Sequence, residues 1–249
     1  MTASQTIIPG PRIARGGKAI YGAPLGILML DARFARIPGD MGNATTWPFP
    51  VLYRVVAGAS PEKVVLNGAA GLLPDFIDAA KDLVGLGAEA ITTNCGFLSL
   101  FQQEIAAAVN VPVATSSLMQ VPWVQATLPP AKRVGLVTVS GSTLTPAHLQ
   151  GAGVPLDTPM VGTENGREFF RVLIRAEKDE MDVALAEQDV VAAGIELVSR
   201  NPQVGAIVLE CTNMPPYAAA LQAAVSIPVY DIYSMITWFH AGLRPRVFA

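Results

Sequence analysis

The chain has 249 residues, 51% hydrophobic and only 15% charged, with a net charge of −3 at pH 7. That composition supplies ample core and excludes a disordered chain, and it is enough for one large α/β domain or two lobes of about 100 to 125 residues each. No basic run exceeds two residues and the aromatics are scattered, which excludes a nucleic-acid surface built on clustered cations and leaves a small molecule as the expected partner.

In chain order, residues 1 to 20 read as an extended N-terminal arm. Pro9, Pro11 and the Gly16-Gly17 pair break any amphipathic targeting helix, and no apolar core of signal length is present. Apolar runs predict strands over 24–30 and 51–58, followed by a helix over 74–84 behind Pro74. A strand over 89–93, a helix over 98–109 and a strand over 111–115 come next, then a helix over 116–128 bent at Pro122. The second half predicts a strand over 133–139, a helix within 141–150 and a weak strand over 154–160. A long helix over 179–200 precedes a strand over 205–210, a helix to about residue 225, a strand over 227–232 and a last helical segment. Continuous apolar strands alternating with helices give an α/β fold with parallel sheets covered on both faces. No apolar stretch reaches the 18 or so residues of a membrane span, so the expected address is cytoplasmic with no membrane partner.

The two halves repeat. The only cysteines, Cys95 in ITTNCGF and Cys211 in IVLECTN, are 116 residues apart, and the same offset carries Pro112 onto Pro228. Gly26-Ile27-Leu28 matches Gly135-Leu136-Val137 at an offset of 109. Two cysteines make no disulfide framework, they lack C-x-x-C spacing, and His148 and His240 are the only imidazoles, so neither a metal nor another cofactor is expected. Each cysteine falls just past a strand and just before a helix, where ligands bind in open parallel sheets. Two such lobes facing each other about a pseudo-twofold axis bring the thiols to one cleft from opposite sides.

Inverting a stereocentre with an acidic C–H takes a base on one face and an acid on the other, and two opposed thiols work in either direction. A helix N-terminus lowers a thiol pKa, so a useful thiolate fraction is expected near neutral pH. On Thr93-Asn94-Cys95-Gly96, Glu210-Cys211-Thr212-Asn213, the Gly26-led first strand and Val139-Ser140-Gly141-Ser142-Thr143-Leu144, the chain resembles the aspartate/glutamate racemase superfamily from about residue 21 onward. The resemblance implies two pseudo-symmetric Rossmann-like lobes with the site in the cleft between them. Chain crossovers near Pro112 and Pro228 would give a first lobe of residues 21–110 plus 228–249 and a second of 111–227. It further implies an isomerase: a cofactor-independent racemase or epimerase of an amino acid or close derivative. Where racemases of acidic amino acids carry a polar pair after the first cysteine, this chain has Gly96-Phe97, which leaves the substrate side chain open. Two alternatives stay beside this reading. One is maleate-type isomerisation, or decarboxylation, of a dicarboxylate on the same fold. The other is a non-catalytic two-lobed binding protein with inert thiols.

The expected catalytic pair is Cys95 and Cys211, acting on a small carboxylate. Thr93, Asn94, Thr212 and Asn213 flank the thiols as substrate contacts, although N-capping is their ordinary role. Gly96 and Phe97 are included with them. Glu210 ends an apolar strand and can bind a substrate ammonium, orient a neighbour or pair between the lobes. Ser140 lies in a loop facing the same cleft. The loop over 31–43 carries Asp31, Arg33, Arg36, Asp40 and Asn43 and can close the pocket, and Asp31 joins the candidate contacts; a solvated loop is the ordinary reading of any single charge there. Oligomeric state is not readable from the sequence, although homo-oligomers are common among such enzymes.

Overall fold

Six consecutive buried residues, Leu25–Leu30, form β1, the signature of a strand covered on both faces. The computed structural model describes residues 14–248; the expected N-terminal arm lies outside the described residues as far as position 13. β1 pairs in parallel with β2 (Val51–Val56) and β3 (Ala90–Thr93), and β3 pairs with β4 (Val113–Ala114). Helices α1 (Pro61–Val65) and α2 (Leu73–Leu86) lead from β2 to β3, and α3 (Gln102–Ala108) leads from β3 to β4. The chain then crosses through α4 (Val121–Thr127) into a second parallel sheet. There β5 (Arg133–Thr138) is followed by α5 (Pro146–Gly151), β6 (Met160–Gly162), α6 (Phe169–Leu173) and α7 (Val183–Arg200). The sheet is completed by β7 (Val204–Leu209), α8 (Ala218–Val225) and β8 (Val229–Tyr230), and α9 (Ile232–Leu243) closes the fold. The strand orders are β2-β1-β3-β4 and β6-β5-β7-β8, so the fold is α/β with two lobes of the same topology.

The repeat extends to individual strand pairings. Ile91 pairs with Val113 and Ile207 with Val229, while Gly26 pairs with Ile91 and Gly135 with Ile207. The two glycines do the same job: a Cβ on Gly26 would meet Leu83 of α2 at 3.1 Å, and one on Gly135 would meet Leu197 of α7 at 2.9 Å. Their absence of side chain lets a helix leucine settle on the central strand of each lobe.

Three elements differ from expectation, each for a local reason. The strand expected over 154–160 forms only at Met160–Gly162, because Pro155 and Pro159 have no N–H to give a ladder. Pro122 does not bend a helix; it sits in the first turn of α4, after a 3-10 stretch at Ser117–Gln120, where a missing N–H costs nothing. The helix after Cys95 likewise starts as a 3-10 stretch, Gly96–Phe101, before α3. One large core runs through both lobes. A second, smaller core lies where Ile232, Met235 and Ile236 of α9 return to cover Leu25, Ile27 and Met29 of β1. No described helix is long and apolar enough to cross a membrane.

Candidate active site

Cys95 and Cys211 leave the carboxyl ends of β3 and β7, the central positions of their sheets, and both thiols are buried. The residues before them are tied down in matching ways. Asn94 Oδ1 accepts the Leu30 N–H at 2.7 Å, and Glu210 Oε2 accepts the Val139 N–H at 3.4 Å. Leu30 ends β1, and Val139 directly follows β5, the equivalent strand of the other lobe. Across the cleft, Thr212 Oγ1 donates to the Asn94 carbonyl at 2.5 Å, which fixes one lobe's strand end against the other's.

One cavity takes in both cysteines, with Asn94, Gly96, Glu210, Thr212, Asn213 and Arg36 in its wall, and Phe34, Pro61, Leu173 and Ile174 as an apolar collar. About 20 Å³ of it is open to the centre of a water molecule, room for about one or two waters. The same collar separates it from an outer vestibule of about 220 Å³ that carries Asp31, Arg33, Glu62, Arg175 and Lys178.

Polar groups of the wall are linked in a chain through Asp40, which stands behind it. Arg36 Nη1 donates to Asp40 Oδ1 at 2.9 Å, Asn213 Nδ2 donates to Asp40 Oδ2 at 2.5 Å, and Cys211 Sγ donates to Asn213 Oδ1 at 3.4 Å. Glu210 is wholly buried. Thr138 Oγ1 donates to its Oε2 at 2.8 Å while Oε1 has no partner. Burial pushes its carboxyl up to about 7, against the smaller opposing pull of the Thr138 hydroxyl and the Val139 N–H.

The thiols correct one expectation. A helix N-terminus was expected to make them acidic, and the N–H groups of Phe97 and Leu98 do favour the Cys95 thiolate. Burial, followed by the nearby Glu210 carboxylate, outweighs them and raises both thiols above their ordinary value. The two are not equal. The positive charge of Arg36 also helps Cys95 ionise, whereas Cys211 has only the Asn213 N–H in its favour and feels Asp40 as well as Cys95.

Of the residues singled out from the sequence, the cavity brings together Cys95, Cys211, Asn94, Gly96, Glu210, Thr212 and Asn213. Four stand elsewhere. Thr93 donates its hydroxyl to the Thr115 carbonyl at 2.6 Å and is buried in the sheet. Phe97 turns its ring to His148, with centroids 5.0 Å apart. Ser140 meets Ser142 at 3.3 Å between hydroxyl oxygens. Asp31 lies in the outer vestibule, 3.3 Å from Arg33. Arg36 and Asp40, whose ordinary reading in the sequence is a solvated loop, are tied into the site instead. Their signal was an i, i+4 pair of opposite charges flanked by apolar residues, which fits a buried arginine as well as a surface one. Among the described residues no group of three His, Cys, Asp or Glu side chains is placed to hold a metal ion.

No family model matches the chain. Over 239 residues it is 31% identical to dimethylsulfoniopropionate lyase 7 of Emiliania huxleyi, an alignment covering 89% of this chain and 68% of the relative. The chain belongs to the dimethylsulfoniopropionate lyase family. A second member, dimethylsulfoniopropionate lyase of Durusdinium sp. clade D, is 28% identical over 237 residues, covering 90% of this chain and 77% of its own. Dimethylsulfoniopropionate lyase 3 of Emiliania huxleyi is 33% identical over 222 residues, 83% of this chain and 56% of the relative.

Among solved structures, a cysteine-for-glycine variant of arylmalonate decarboxylase in a sulfate-associated form superposes with a TM-score of 0.60 at 15% identity, over 88% of this chain and 93% of that one. A glutamate racemase isoform of Bacillus anthracis gives 0.55 at 12% identity, over 90% and 83%. The fold of this lyase-family chain is thus that of the aspartate/glutamate racemase superfamily. Its expected class is corrected. Family members carry the name of a lyase, which overturns the racemase, epimerase and isomerase reading taken from the fold's better-known members. The alternative given above, maleate-type isomerisation or decarboxylation of a dicarboxylate on the same fold, lies closer to that finding than the racemase does.

Proposed function

We propose that this chain is a lyase that eliminates dimethyl sulfide from dimethylsulfoniopropionate, or from a close β-sulfonium carboxylate, with a cavity cysteine as the base. The observation that carries the reading is the pair of buried thiols in the wall of one small cavity, in a chain whose relatives are named for that substrate.

The substrate bears its leaving group on the carbon next to the one made acidic by the carboxylate. A thiolate takes the proton from that carbon, the electron pair of the broken C–H bond forms the double bond of acrylate, and the C–S bond breaks with its pair going to sulfur. The sulfonium leaves as neutral dimethyl sulfide and so needs no proton. One base is enough, unlike an inversion, which takes an acid and a base. Cys95 has the surroundings for that base: the Phe97 and Leu98 N–H groups and the charge of Arg36 all favour its thiolate. Cys211 is held as a thiol on Asn213 Oδ1 and keeps the Asn213–Asp40–Arg36 chain in order. Glu210 opposes thiolate formation in the empty cavity, and the incoming sulfonium cation offsets that opposition, so the base forms when substrate is present.

Proton NMR in D2O tests the reading. Wild-type protein should convert dimethylsulfoniopropionate to acrylate, and Cys95→Ser should lose more of the rate than Cys211→Ser. Substrate left unchanged by the wild type, or full activity in Cys95→Ser, would overturn it.

A further inference from the structure

Resting on the lyase reading, we infer that Arg36 and Glu210 recognise the two ends of a zwitterion, Arg36 the carboxylate and Glu210 the onium cation, and so select short carboxylates with a sulfonium or quaternary ammonium group. Both residues line the cavity, and each carries a buried polar atom without a partner. Arg36 Nη2 and Glu210 Oε1 are buried with no hydrogen-bond partner, and a buried charge without a partner is costly unless something else supplies one.

Both side chains are held with that atom free. Asp40 takes the other arm of Arg36 at 2.9 Å, and the Phe34 ring lies under the guanidinium at 4.5 Å. A Cβ on Gly42 would meet Arg36 Cδ at 2.6 Å, so the bare backbone there is what admits the arginine. Glu210 is seated the same way: a Cβ on Gly96 would collide with both its Oε1 and its backbone carbonyl. The bare backbone after Cys95 is therefore the space in which the Glu210 carboxylate sits.

The pseudo-symmetry shows that the charge on Glu210 is surplus to the fold. Asn94, 116 residues earlier, binds the end of its neighbouring strand with a neutral amide at 2.7 Å, the task Glu210 performs at Val139. An amide would do that structural work equally well without burying a carboxylate. The free oxygen cannot be satisfied by dimethyl sulfide or acrylate, neither of which is a cation; it fits the substrate and not the products, which favours release after the C–S bond breaks.

Calorimetric binding of two unreacted probes separates the charges. One is 3-(trimethylammonio)propanoate; the other is 4-methylpentanoate, the neutral carbon isostere of dimethylsulfoniopropionate. The wild type should bind the onium probe roughly tenfold or more tightly than the neutral one. Glu210→Gln, and Glu210→Asn as its Asn94-like counterpart, should bring that ratio close to one. Arg36→Gln should weaken both probes by a similar factor and leave the ratio in place. Equal binding of the two probes by the wild type, or discrimination retained in a folded Glu210→Gln, would overturn the inference. Dimethyl sulfide release is measured on the same wild-type preparation. Release without discrimination defeats this inference alone, and discrimination without release defeats the lyase reading and leaves the charge pair standing.

Discussion

Replacing Glu210 by Gln removes a buried negative charge while keeping the shape of the side chain and its contacts to Thr138 and Val139. In the folded protein this carboxyl ionises near pH 7, while in the unfolded chain it ionises at its ordinary value near 4.5. Between those values the folded state holds a proton that the unfolded state has lost. Wild-type stability therefore falls as pH rises through that window, by an amount that approaches about 3 kcal/mol once pH passes the folded value. Glutamine does not titrate and should not show this loss. For a chain of this length the difference corresponds to roughly 6–12 °C in the unfolding midpoint. Thermal unfolding of both proteins without ligand, at pH 5 and again at pH 8, gives the result directly. The midpoint difference between variant and wild type should grow in favour of the variant from the lower pH to the higher. All other titrating groups are common to the two proteins and cancel. Parallel pH profiles would refute the buried, uncompensated carboxylate and with it the electrostatics of the cavity.

Other outcomes follow from the same geometry. Cys95→Ser should cut turnover roughly a hundred- to ten-thousand-fold, since a serine hydroxyl is far less acidic than a thiol and does not supply the anion that acts as base, measured as acrylate formed under saturating substrate. Gly96→Ala should cost about 1–3 kcal/mol in denaturant unfolding, because the added methyl meets the Glu210 backbone as well as its carboxylate and cannot be accommodated by one rotation. Asp40→Asn should raise KM about tenfold with a smaller change in kcat, as the guanidinium loses the ionic anchor that orients it. Alkylation of the wild-type thiols should be slow at pH 8, and Glu210→Gln should speed it at Cys95, because the carboxylate is one of the two causes that raise that thiol; unchanged rates would contradict this.

Much of the framework is legible in the sequence. The offset of 116 that aligns Cys95 with Cys211 also aligns strand pairings down to Ile91–Val113 and Ile207–Val229, because repeated strands, helices and prolines are local patterns. The glycines near the start of β1 and β5, Gly26 and Gly135, are legible for the same reason. What stayed hidden depends on contacts between distant segments. Nothing near Gly96 tells that its missing side chain is the seat of Glu210, over a hundred residues away. Arg36 reads as one charge in a polar loop until the fold buries its free nitrogen against the cavity. The acidity of the thiols departs from expectation because a helix start is visible in sequence whereas burial and the Glu210 charge are not. The class of reaction is not legible for a related reason. The sequence shows two cysteines in register, and whether the chemistry needs one base or an acid with a base depends on the substrate's leaving group, which those motifs do not encode.

The most direct measurement is headspace dimethyl sulfide set against acrylate in the same sealed vial, with dimethylsulfoniopropionate as substrate, for the wild type and for the double variant Cys95→Ala, Cys211→Ala. The elimination account predicts equimolar sulfide and acrylate from the wild type and neither from the double variant. Sulfide released equally by both proteins, or a wild type that leaves the substrate untouched, would contradict it.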